Sequence, residues 1–220
     1  MSDDDELSKE EAKAVKPQVS RQAMLAALAA GALVGLGLAV LWLEADDRHG
    51  RRTPLANTLI WLPLLVPQPA FLYGLNVVAL RHGLSGGWVA VIWGHALMVF
   101  PYAMIALAGP WRRLDPGLAR AASMLGAGPW RRLWAVKLPV LLRPLLVAAA
   151  VGISVSVAQY LPTLMLGAGR IPTLTTEAVA LASGADRRIT AVHALLQMTV
   201  PLAAFPPAAL IPALAPPHRP

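Results

Sequence analysis

Three features of this chain predict an all-α, polytopic membrane protein. Of its 220 residues, 56% are apolar and only 14% are charged. The apolar residues arrive in runs of about twenty, the length a helix needs to cross a hydrocarbon layer ~30 Å thick. Its basic residues, which leave a net charge of +7, cluster between those runs, as loops at a bilayer surface do. That distribution argues against a nucleic-acid partner. Cysteine is absent, which excludes disulfide frameworks, thiol catalysis and cysteine metal sites.

Residues 1–21 read as an acidic, solvated tail. Asp3, Asp4, Asp5, Glu6, Glu10 and Glu11 outnumber Lys9, Lys13 and Lys16 where a secretory signal would be basic. The membrane domain is expected over residues 22–215, with about five spans, and residues 216–220 form a short C-terminal tail. Met24 to Leu43 is the first span; it holds no charged side chain, and Gly31, Gly35 and Gly37 supply small residues for close helix packing. The second runs from Leu55 to about Val66, where Pro67-Gln68-Pro69 removes two amide donors and ends the helix. Phe71 to Leu80 then forms a short separate helix. Two readings of that break stand side by side: irregular backbone bordering a transport path at membrane depth, or a loop at the outer surface.

Ser85-Gly86-Gly87 opens the third span, Trp88 to Leu107, which closes before Pro110. The fourth is Leu138 to Ala158. The fifth is Ile189 to about Leu214, interrupted by Pro201, Pro206 and Pro207. With the loop at 110–137 in the cytoplasm, Lys and Arg number ten inside and eight outside. That loop decides the orientation, because it sets Arg112, Arg113, Arg120, Arg131, Arg132 and Lys137 against Asp115 alone.

The 110–137 loop is also the most informative stretch of the chain. Asp115-Pro116 is a helix start, since aspartate caps an orphan N–H and proline at the first helical position gives up a donor that has no partner there. Leu118, Ala121, Ala122 and Leu125 follow at i, i+3, i+4 and i+7 as one apolar stripe. Gly126-Ala127-Gly128 permits a sharp reversal, and Pro129 starts a second short helix carrying Trp130, Leu133, Trp134 and Lys137. Trp111, Trp130 and Trp134 read as anchors at the lipid interface.

These residues resemble the membrane-spanning permease subunits of binding-protein-dependent ABC importers. Those subunits carry a cytoplasmic loop of the form Glu-Ala-Ala, three residues, Gly, nine residues, Ile, one residue, Leu-Pro. Here Ala121, Ala122, Gly126, Leu138 and Pro139 match at full spacing, and Val136 replaces the isoleucine. Arg120 stands where the family has glutamate, reversing that charge. The run from Ser156 to Val179, with Gly184 to Arg188, is similar to permeases of thiamine-type uptake systems. More distant relatives handle sulfate, molybdate, iron or polyamines. The likeness spans roughly residues 24–212, and the chain looks like one half, or a shortened C-terminal half, of a larger permease.

The resemblance implies the type I importer permease fold, a prokaryotic inner-membrane location, and import of a small solute such as thiamine or a related compound. It implies three protein partners: a separate ATPase subunit that binds the ATP, a second permease half or a second copy, and an extracytoplasmic solute-binding protein. It requires no cofactor in this chain. Leu118, Arg120, Ala121, Ala122, Leu125 and Gly126 would form the coupling helix held by the ATPase, and Val136, Leu138 and Pro139 complete the motif. An ion-driven secondary transporter is the alternative, against which stands the lack of Asp or Glu inside any expected span; a non-transporting membrane assembly factor is a third reading.

Other features carry less. Leu84-Ser85-Gly86-Gly87 copies the start of an ABC ATPase signature, but no phosphate-binding Gly-x-x-x-x-Gly-Lys-Ser/Thr exists and the tetrapeptide is a turn. Arg143, near the cytoplasmic end of its span, reads as snorkelling to headgroups. His95 and His193 read as helix-to-helix hydrogen bonders. On the outer connection, Gln159, Tyr160 and Thr163 are the candidates for the substrate pathway. No nucleophile–base pairing or metal-ligand spacing occurs, so no catalytic or metal site is assigned and the chain is not read as an enzyme.

Overall fold

The structure, a computed structural model, describes residues 21–49, 54–182 and 187–214, all of it helix, turn and connecting coil. The two expected tails lie outside the described residues, apart from Arg21. Helix α1, Arg21–His49, has 29 residues and rises roughly 44 Å, more than the hydrocarbon thickness. It therefore carries the apolar run across and brings Glu44, Asp47 and Arg48 out at the far end. Helix α4, Trp88–Arg112, has 25 residues, and these two are long and apolar enough to span a membrane by themselves.

Two further candidates are bent pairs. Helix α2, Pro54–Leu65, and α3, Gln68–Arg81, meet at 111° across the Pro67 break. The twelve residues of α2 rise only about 18 Å, so its end stops short of a full crossing. The second pair follows α5, Pro116–Met124, and begins with α6, Pro129–Arg132. It continues through a π-helical turn, Leu133–Lys137, and α7, Leu138–Val140, and then bends by 83° into α8, Leu142–Ala158. The expected fourth span from Leu138 thus starts at Leu142. Pro144, in the first turn of α8, has no N–H for the Val140 carbonyl, and its ring crowds that turn.

Counting each bent pair as one span, up to four spans qualify. The expected fifth lies in one unbroken 28-residue helix, α11, Arg187–Leu214, outside those four. Pro201, Pro206 and Pro207 do not interrupt it, and α4 likewise runs past Pro101 and Pro110. A helix among packed neighbours tolerates the loss of single amide bonds that a sequence reading counts as breaks. Between Gln159 and Arg187 the chain forms short helices α9, Leu161–Leu166, and α10, Leu174–Ala182.

The core is a three-helix contact of α1, α4 and α8, with α11 laid on α8. Glycine sets how closely α1 and α4 approach. A Cβ at Gly31 would lie 2.6 Å from the His95 Cβ, and one at Gly35 would lie 2.8 Å from the Ala96 carbonyl. Gly37 has open space around it, so two of the three expected glycines make the contact. Across the same interface His95 is fully buried, its ring nitrogens 2.9 Å from Ser156 Oγ and 2.9 Å from Thr163 Oγ1. Ser156 Oγ donates in turn to the Leu28 carbonyl at 2.8 Å. Four helices are joined by one imidazole and two hydroxyls, the helix-to-helix role expected of His95.

Replacing Gly35 with valine should therefore force α1 from α4 and cost about 1–3 kcal/mol by overpacking, whereas Gly37→Val should be close to neutral in packing. Thermal unfolding of the two variants in detergent separates them, and equal midpoints would contradict the close-approach account.

Candidate functional site

At the end of the molecule where α1 and α4 finish, the 113–141 segment forms two short helices and a reversal. Asp115 Oδ1 accepts from the Gly117 amide at 2.8 Å, capping α5 as its sequence requires. The helix closes at Leu125, and Gly126 takes φ +78°. The Ala127 amide donates to the Ala122 carbonyl and the Gly126 amide to that of Ser123, each at 3.0 Å. This is a Schellman closure, which needs a left-handed residue at its turn. Arg132 Nη1 then donates to Ser123 Oγ at 2.6 Å, fastening α6 against α5.

The expected apolar stripe faces outward. Leu118 is 44% exposed and Leu125 88%, Ala121 is exposed and Ala122 half-buried; no residue of α5 is buried. Met124, which the sequence reading counted in no stripe, is 90% exposed beside Leu125. These side chains take little part in the packing of the described residues. Val136 and Leu138 lie apart from this tip. Both are half-buried, and Leu138 packs on the core around Leu107, Leu133 and Leu141, while Pro139 is exposed. The motif therefore divides into a presenting part, Leu118 to Gly126, and an anchoring part, Val136 to Pro139.

What holds the anchor is a charge cluster. Lys137 Nζ lies 2.7 Å from Glu44 Oε2 and 2.7 Å from Asp47 Oδ2, both on α1. Glu44 also accepts from Arg48 Nε at 2.9 Å, and Trp111 Nε1 donates to Asp47 Oδ2 at 2.8 Å. The Lys137 ammonium sits 5.2 Å from the Trp111 ring centre, and the Arg48 guanidinium 5.2 Å from that of Trp130. Side-chain exposure is 13% for Lys137 and 6% for Glu44, so their attraction is weakly screened. Trp111, expected at the lipid interface, is buried by this network; Trp130 and Trp134 are exposed. A cavity of about 500 Å³ opens between these groups and α5, lined by Arg112, Arg120, Arg132 and Val136 among others.

Glu44 and Asp47 were not in the sequence-derived site. The i, i+4 pair of Glu44 and Arg48 was visible, but nothing in the order of residues ties Glu44 to a lysine 93 positions on.

A second cavity, about 510 Å³, lies at the Pro67 break and is lined by Pro63 to Gln68, Met98, Tyr102, Ala158 and Gln159. Gln68 Nε2 donates to Gln159 Oε1 at 2.9 Å across it. Because Pro67 and Pro69 have no N–H, the Pro63 and Leu65 carbonyls lack the donors a continuing helix would give them. Of the three candidates for the substrate pathway, Gln159 faces this space. Tyr160 is half-buried outside the lining, and Thr163 is fully buried with its hydroxyl on His95, so it serves the packing between helices. Gln68 and Tyr102 join Gln159 here. The break itself was legible in sequence, but its partners on α4 and beyond α8 were not.

Residues 31–214 match the family model described as binding-protein-dependent transport system inner membrane component. The chain is also similar to the inner membrane ABC transporter permease protein YnjC of Escherichia coli, with 41% identity over 196 residues. That alignment takes in 88% of this chain and 37% of the relative, so the chain spans well under half the length of the curated relative it matches.

Removing the lysine of the charge cluster leaves Glu44 buried with Arg48 alone. Lys137→Gln should destabilise the protein by about 3 kcal/mol, and Lys137→Gln combined with Glu44→Gln should cost less than the sum of the two single changes. A double-mutant cycle of thermal unfolding in detergent reads this coupling, and strict additivity would show that the pair does not hold the anchor.

Proposed function

The chain belongs to the family of binding-protein-dependent transport system inner membrane components, and on that footing we propose that it is one permease half of an ABC importer, driven through the 110–137 loop. As a family member it is a multi-pass inner-membrane transport component. The proposed assembly pairs it with a second permease half, or a second copy, and with two ATPase subunits that bind the ATP. An extracytoplasmic binding protein delivers the solute, and ATP-driven movement at residues 114–137 switches the side to which the pathway opens.

The observation that carries this reading is the open apolar tip of Leu118, Met124 and Leu125 on a segment clamped to α1 by Lys137. A tip that is free to be gripped, on an anchor that is not free to slide, is what transmission of a push from a separate motor requires. Leu118, Arg120, Ala121, Ala122, Leu125 and Gly126 are proposed as the ATPase contact. The broken span supplies the proposed pathway, since irregular backbone at membrane depth is tolerated where it lines a cavity, and Gln68, Tyr102 and Gln159 meet there. Among the described residues no carboxylate lines that cavity, which favours an ATP-driven over an ion-coupled cycle. For the solute, thiamine or a related compound is proposed on the likeness of the 156–188 run to permeases of thiamine-type systems.

Gly126 tests the docking. A Cβ there meets nothing of this chain within 4 Å, so within the chain substitution acts through the left-handed φ, at about 1–2 kcal/mol for a residue with a side chain. Gly126→Val should abolish uptake of labelled thiamine and weaken recovery of the ATPase with the purified chain, at unchanged protein level in the membrane. Wild-type uptake and recovery in this variant would refute the coupling role.

A further inference from the structure

The exposed tip is surrounded by positive charge that no carboxylate among the described residues pairs with. Among the described residues, Arg112, Arg113, Arg120, Arg131 and Arg132 have no carboxylate within ion-pair distance; Arg132 is held by the Ser123 hydroxyl, which is neutral. Three nearby acids are engaged elsewhere. Glu44 and Asp47 are taken by Lys137 and Arg48, and Asp115 caps α5. Arg112, Arg113, Arg120 and Arg131 are exposed, and they flank an apolar tip whose two outermost residues are 90% and 88% exposed.

We infer that the partner surface receiving this tip is an apolar cleft rimmed by carboxylates, set opposite Arg120 and Arg131. The inference rests on the docking reading above and adds to it the chemistry of the cleft. Arginines without internal partners raise the local potential, steer an acidic surface into register and repel a basic one. A cleft with basic side chains facing α5 would meet like charge at Arg120 and bind poorly. Bilayer phosphates are the other anion such a surface attracts; the docking reading sets a protein against this tip, and lipid is therefore an outcome that the test separates. A protein cleft with an apolar floor and an acidic rim satisfies both the apolar tip and the arginines.

The test places the photo-crosslinking residue p-benzoylphenylalanine at Leu125 of the full chain, in cells carrying the whole transporter, and identifies the crosslinked peptide by mass spectrometry. The expected adduct is to a nucleotide-hydrolysing subunit, through a peptide that bears Asp or Glu. Arg120→Glu with Arg131→Glu should lower its yield about tenfold, and 0.5 M salt should also lower it when the crosslink is repeated on the whole transporter purified into nanodiscs. Changing the acids of that peptide to lysine in the double-Glu background should restore the yield. Both arginines are exposed, so chain level in the membrane should not change. An ATPase adduct indifferent to the arginines and to salt would leave the docking reading standing and overturn the acidic cleft. No ATPase adduct would overturn both. If wild-type yield collapses in nanodiscs lacking phosphatidylglycerol, and the reciprocal lysines fail to restore the double-Glu variant, anionic lipid is the occupant and the inference is wrong.

Discussion

Lys137 is the point on which the membrane domain and its projecting loop depend together. Its ammonium is shared between Glu44 and Asp47 at 2.7 Å each, one turn of helix apart on α1, and it lies over the Trp111 ring at the end of α4. Both long spans are therefore tied to one residue of the loop. With Lys137 so nearly buried, losing one member strands a charge and costs more than breaking a solvent-exposed bridge. Immediately after it the chain turns by 83° into α8. The end of the loop is therefore joined to α1 and α4 by direct contacts and runs through a sharp bend into α8.

Close approach and buried hydrogen bonds hold the helices behind it together. Gly31 and Gly35 let α1 lie against α4 at distances no side chain would allow, and His95 with Ser156 and Thr163 pins α1, α4, α8 and α9 to one another inside the apolar region. Buried polar groups of this kind specify one arrangement, because any slip leaves them without partners. Against this rigid set, the Pro67 break stands out as the place where backbone carbonyls and two glutamines face an open space. Close packing thus marks the loop side and irregular backbone the cavity side.

Much of this was legible from residue order. Apolar runs of bilayer length and much of the Gly-Pro punctuation are local properties: Asp115-Pro116 starts a helix, Gly126 ends it, and Pro67-Gln68-Pro69 breaks a span. The motif from Ala121 to Pro139 was readable because its spacing is a covalent fact. Where the reading failed, neighbours overrode local preference. Pro201, Pro206 and Pro207 sit in an unbroken helix, Pro144 rather than Leu138-Pro139 marks the entry to α8, and Trp111 is buried in a charge cluster instead of lying in the interface.

Residue order alone, then, determined an all-helical membrane domain with a basic, glycine-hinged loop between its spans, since both follow from the free energy of transferring each segment between water and lipid and from the backbone limits of glycine and proline. Only the tertiary structure decided that Lys137 reaches Glu44 across 93 residues, that Gln68 meets Gln159 across 91, and that Thr163 serves His95 rather than the cavity. These pairings depend on which helix faces touch and at what depth, and that is settled by the packing of all the helices at once.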